Sequence, residues 1–127
     1  MARKDNKQAK EKKKERKLLE MKMNAGVANV KRANAQENPI SSLPSFATFS
    51  KNGENIQLET RRGKELDKET REWAFKLLEK NMKEMYVASN WGWNETNKRL
   101  EMEEDTAWYL IARNMEEEKN VAFCHLR

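Results

Sequence analysis

All four tryptophans and both tyrosines of this 127-residue chain fall between residues 73 and 109, inside an otherwise strongly polar sequence. Aromatic side chains bring the largest contact area per residue. Trp73-Ala74-Phe75, Met85-Tyr86, Trp91-Gly92-Trp93 and Ala107-Trp108-Tyr109-Leu110-Ile111-Ala112 therefore have to supply the core, a binding site, or both. Charged residues make up 37% of the chain, as do hydrophobic ones; an ordinary globular chain has about 25% charged. One small body is what this much apolar material can build.

The charge is uneven. Residues 1–22 hold ten Lys or Arg against four acids, a net of +6, and the other 105 residues hold 16 basic and 17 acidic groups, a net of −1. The overall +5 is a property of the N-terminal arm, so a basic balance says nothing about the partners of the body. Cys124 stands alone, which excludes an intrachain disulfide and points to a reducing compartment. No run approaches the ~18 apolar residues of a membrane span, and no apolar segment follows the first lysines as a secretory signal requires. The expected location is the cytosol or nucleus.

Residues 1–17 contain no Val, Ile, Leu, Phe or Trp. Leu19, Met23, Val27 and Val30 then recur at helical spacing, which predicts a helix over about 8–32, solvated in its first half and docked in its second. Asn38-Pro39 and Leu43-Pro44 break the chain, and Phe46 and Phe49 are expected to pin the loop to the body. Asn52-Gly53 is a turn signal before Ile56, Leu58 and Thr60, which alternate as a strand with one buried face. A second helix is expected from about Asp67 to Ala88, with Ala74, Leu78, Asn81, Met82 and Met85 buried and Trp73, Leu77 and Tyr86 alongside. A short helix over about Glu95–Glu103 follows. Ala107–Ala112 reads as a strand covered on both faces, and Val121, Phe123 and His125 alternate as a last strand. The expected division is a basic arm and helix over 1–35 and a body over 36–127. Three strands make a small sheet, whose outer strand has an unpaired ladder. The chain stops within that last strand, as a fragment would.

The aromatic blocks above, with Asn81-Met82, Val121-Ala122-Phe123, His125 and the lysine-rich start, resemble the N-terminal half of the N-alpha-acetyltransferase D family. These are the histone-specific N-terminal acetyltransferases of the GNAT superfamily. The similarity runs along essentially the whole chain and is most specific at Trp91-Gly92-Trp93 and Ala107–Ala112. It implies an α/β fold, here an α+β arrangement on a mixed sheet: an incomplete GNAT acyl-CoA N-acyltransferase fold preceded by a basic helix. It also implies direct transfer of acetyl from acetyl-CoA to the α-amino group of histones beginning Ser-Gly-Arg-Gly, by a monomer of the nucleus and cytoplasm.

One part of the family pattern is missing. Its acetyl-CoA pyrophosphate sits on a glycine-containing turn that opens a helix, where backbone N–H groups hold the anion. Gly26, Gly53, Gly63 and Gly92 do not stand in such a turn, and Arg61-Arg62-Gly63 follows the first strand without a second glycine. The family's general-base carboxylate also lies beyond residue 127. The expectation is that these residues hold no catalytic, cofactor or metal site and are inactive alone.

Tyr86 and Trp91 match family positions that wall the pocket for the peptide N-terminus, and they are the substrate-binding candidates. On the residues alone, Tyr86 completes a helix face and Trp91 caps the core; Trp93 and Trp108 read as core. Cys124 and His125 are neighbours on a strand and point apart, so they read as a buried structural pair rather than a nucleophile and base. The basic arm reads either as a solvated tail or as a nuclear-localisation, nucleic-acid or ribosome-contacting segment. The alternative function is accordingly a non-enzymatic, nucleic-acid-binding or ribosome-binding basic arm on a small α+β body.

Overall fold

The computed structural model describes residues 2–127, with side chains from Asn6 onward. Among these residues the protein is a mixed α+β chain of three α-helices and one antiparallel four-stranded sheet. It divides into two compact units, one ending at Glu37 and one spanning Asn38–Arg127.

The first unit is α1, Ala2–Asn34. It starts earlier than the apolar pattern predicts because Lys, Arg, Glu, Gln and Ala are all strong helix formers. Leu19, Met23, Val27 and Val30 are 59–69% exposed. Helix propensity along its whole length is enough to account for its extent.

The second unit begins with short 3-10 turns at Pro39–Ser42 and Pro44–Phe46. Phe46 and Phe49 do not pin this stretch, being 62% and 53% exposed. It is held by the Thr60 hydroxyl, which donates to Asn38 Oδ1 at 2.8 Å, and by the Leu58 N–H, which donates to the Ala47 carbonyl. Phe49 instead belongs to a strand the sequence did not announce, β1, Thr48–Lys51. Asn52 and Gly53 both take positive φ, 54° and 80°, as the two-residue hairpin turn with matching twist requires. That turn returns the chain into β2, Glu54–Arg62, in the register Lys51↔Glu54 to Thr48↔Gln57.

Asp67 caps α2, Lys68–Ala88, by accepting the Thr70 N–H at 3.2 Å. Asn94 caps α3, Glu95–Met102, by accepting the Asn97 N–H at 2.9 Å. β3, Trp108–Asn114, lies between β2 and β4, Lys119–Leu126, giving the order β1-β2-β3-β4. Asn114 Oδ1 accepts from the N–H groups of Glu116 and Glu117 and tightens the β3–β4 turn.

Leu66, Ala74, Phe75, Met102, Ala107, Tyr109 and Ile111 are buried, with Trp73, Leu78, Trp93 and Phe123 packed on them. On α2, Asn81 and Met85 are exposed instead of buried, and Phe75, which the pattern did not place inward, is buried. β3 is not covered equally on its two faces. Tyr109 and Ile111 are fully buried, whereas Trp108, Leu110 and Ala112 on the other face are half-buried. Trp108 is therefore outside the core, with the Arg62 guanidinium 4.3 Å above its ring. In β4 the register slips at Ala112/Arg113, so Ala112 faces Ala122 while Arg113 faces Asn120. Val121 is the extra residue of this bulge and faces solvent instead of the core.

Cys124 is exposed, which corrects the reading of a buried Cys124–His125 pair. His125 is half-buried and stacked on Tyr109, with ring centroids 5.0 Å apart.

Gly63 opens a 3-10 turn at Gly63–Glu65. Its N–H donates to the Ala107 carbonyl at 2.8 Å, and an added Cβ would lie 2.7 Å from the Met102 carbonyl oxygen. The glycine is there for close packing between β2 and the start of β3.

Candidate functional site

The last turn of α2 carries Tyr86, and Ser89 closes the helix with its hydroxyl donating to the Tyr86 carbonyl at 2.7 Å. The same hydroxyl oxygen accepts the Trp91 N–H at 3.2 Å. Gly92, at φ +67°, then bends the chain so that neighbouring indoles part company. Trp93 turns inward, its ring centroid 6.0 Å from Phe75 and 5.9 Å from Tyr86. Trp91 stands 86% exposed. It does not cap the core.

Tyr86 and Trp91 thus share the wall between two clefts. One, of about 330 Å³, is bounded by these two residues, Trp93, the loop at Gly92-Asn94, and Asn97, Lys98, Glu101 and Arg127. The other, of about 260 Å³, lies on their far side against Met82, Met85 and Ser89. The two residues singled out in the sequence are brought together here, and Trp93, read as core, lines the larger cleft as well as packing inward.

The floor of the larger cleft is a charged network that sequence reading missed. Lys98 donates to Tyr86 Oη at 3.2 Å, lies 4.5 Å above the tyrosine ring, and pairs with Glu101 one turn on. Arg127 Nη2 reaches the same carboxylate at 3.0 Å, and its Nη1 reaches Glu104 at 3.2 Å. Burial works against the Lys98 charge, but the bonds to Glu101 and Tyr86 outweigh it and raise the ammonium above its ordinary range. The hydrogen bond from Lys98 holds Glu101 below the usual carboxylate range. Both groups are charged near neutral pH. The only hint in the sequence is the i, i+3 spacing of Lys98 and Glu101, which one helical turn brings together.

The rear of the site is fixed by Arg99. It makes a bidentate pair with Glu72 at 2.8 and 3.1 Å, bonds Glu95 at 3.1 Å, and lies 3.7 Å above the Phe75 ring. This ties α3 to α2 and sets the width of the cleft between them.

Chemically the site offers an aromatic wall, a phenol, the amide groups of Asn94 and Asn97, and one carboxylate flanked by two cations. That set suits a short polar peptide end better than an apolar ligand. Cys124 does not line either cleft, and among the described residues no group of three or more His, Cys, Asp or Glu is placed to hold a metal ion. The helix N-termini do not suit a pyrophosphate. Asp67 puts a carboxylate at the start of α2, its pKa lowered by the bonds to Thr70, and the Gly63 N–H is already taken. No helix among the described residues is long and apolar enough to cross a membrane. No protein-family model matches the chain.

Proposed function

We propose that the Tyr86–Trp91 cleft receives the free N-terminus of a short unmodified peptide. On this reading the chain is the peptide-binding half of a GNAT-type N-terminal α-amino acetyltransferase acting on histones that begin Ser-Gly-Arg-Gly. The observation that carries it is the pairing of Tyr86 and Trp91 around one cleft whose floor holds the charged Glu101.

Each group has work to do there. Trp91 covers one side of a small Ser-Gly start, an indole face needing no side chain on its ligand. Tyr86 and the amides of Asn94 and Asn97 can bond the peptide backbone. Glu101 supplies the negative charge that attracts an ammonium or a following guanidinium, in competition with Lys98 and Arg127. Acetyl-CoA would be the acetyl donor. The residues described here do not fit its pyrophosphate, because the available helix starts are capped by Asp67 and Asn94 and Gly63 is packed shut. These 127 residues bind and orient a peptide and do not transfer acetyl by themselves.

The test uses a Ser-Gly-Arg-Gly peptide labelled at its C-terminus and an Nα-acetylated copy. The free peptide is expected to bind saturably and the acetylated one at least about tenfold more weakly, the equivalent of 1.4 kcal/mol. Radiolabel transfer from acetyl-CoA should stay at the level of a heat-killed control. Equal binding of the two peptides contradicts the site, and transfer above control contradicts the missing cofactor seat.

A further inference from the structure

The charges of α1 are not scattered. At about 100° per residue, Lys7, Lys10, Lys14 and Lys17 project within one arc about 80° wide. All four are exposed, and none takes part in an ion pair among the described residues. Glu11, Glu15 and Glu20 fall outside that arc. The row is about 15 Å long at 1.5 Å per residue. Like charges at i, i+4, as at Lys10 and Lys14, repel along a helix. Between Asn6 and Lys17 there is no aromatic or large aliphatic residue whose burial could compensate. A densely anionic partner would.

We infer that this row docks on the phosphate backbone of double-stranded DNA without reading its sequence. A duplex presents one negative charge per about 1.7 Å of axis and releases counterions as lysines neutralise them. A helix about 10–12 Å across with its side chains fits the B-form major groove, about 12 Å wide, while the deep, narrow groove of A-form RNA shuts it out. Lysines are point charges that favour phosphate without geometric selection. A lipid surface is the poorer partner. It requires an apolar face beside the basic one, and the apolar residues of α1, Leu18 to Val30, begin where the row ends.

The inference is independent of the peptide site and is tested on the full chain by fluorescence anisotropy with a labelled mixed-sequence DNA duplex. Four neutralised phosphates set a slope of about −3.6 for log affinity against log salt, so tripling the salt should weaken binding about fiftyfold. Replacing Lys7, Lys10, Lys14 and Lys17 together with Gln should reduce that slope to about −1 or less. Replacing Lys12, Arg16, Lys22 and Lys31 with Gln removes the same charge from other faces and should leave a slope of about −3. Circular dichroism checks that both variants stay helical. Equal losses in the two variants would show net charge alone at work and overturn the inference. Tighter binding to an RNA duplex, or equal binding to phosphatidylserine vesicles, would overturn it as well.

Discussion

Tyr109 and Trp91 come from the same aromatic window and end in opposite circumstances. Tyr109, on β3, is 1% exposed, and its hydroxyl donates to the Met102 carbonyl at 2.9 Å. Burial raises its pKa well above the usual phenol range, so the group is a neutral donor inside the core. Trp91, one loop beyond α2, is 86% exposed. The difference lies in the element. A strand or helix of the right phase delivers its aromatic side chain to the core, while a loop bent at Gly92 delivers one indole inward and the other to the surface. Aromatic density marks where to look; the phase of the backbone decides what is packed and what is left to bind.

The comparison is broken most readily at the core. Tyr109→Ala should cost about 3–5 kcal/mol, the range for deleting a large buried ring, and lower the urea midpoint accordingly. Tyr109→Phe leaves the buried Met102 carbonyl without its donor, at about 1–3 kcal/mol. Gly63→Ala should cost a similar amount, because the Cβ would lie 2.7 Å from a backbone oxygen that cannot swing away and overpacking of this kind costs about 1–3 kcal/mol. A Trp91→Ala variant that lost as much stability as Tyr109→Ala would erase the distinction between the two regions.

A smaller effect is expected from pH. His125 is the single histidine, and burial, together with Arg127 and Lys98, outweighs Glu101 and Glu104 and lowers its pKa below the ordinary value of 6.5. As pH falls through 6.5 the unfolded chain takes up a proton that the folded chain still refuses, so stability declines towards pH 5. The carboxylates held low here, Glu72 and Glu101, add their own loss only at more acid pH. His125→Gln should flatten the melting temperature between pH 7 and 5; an unchanged pH profile would show that His125 is solvated. The smallest effect belongs to the cleft. Trp91→Ala should change stability by less than about 0.5 kcal/mol, as exposed substitutions do, whatever it does to peptide binding.

Parts of this architecture were written plainly in the sequence. α2 was legible because Asp67 marks its start and a 3.6-residue pattern runs behind it, and Asn52-Gly53 marked the turn before β2. β1 was not. Its four residues are all exposed, so they carry no alternation, and only the turn after them places them in a sheet. The phase of β4 was misread at Val121 because a bulge inserts one residue and leaves no local mark. On α1 the spacing of Leu19, Met23, Val27 and Val30 reports which residues align, not what covers them. At the cleft, Tyr86 and Trp91 could be picked out as unusual residue types. Lys98, Glu101 and Arg127 could not, because in a chain 37% charged the i, i+3 spacing of Lys98 and Glu101 recurs at Lys12/Glu15 and Lys17/Glu20, and no spacing marks Arg127.

The central claim is that the loop aromatic is the one left free to bind a peptide end. The most direct measurement follows the four tryptophan indole N–H signals by nuclear magnetic resonance while unmodified Ser-Gly-Arg-Gly is added. Trp91, assigned by Trp91→Phe, should shift most and saturably, Trp93 less, and Trp73 and Trp108 not at all, with the Nα-acetylated peptide moving none of them at the same concentration. A uniform response of all four signals, or a still Trp91 while another indole moves, would contradict the account.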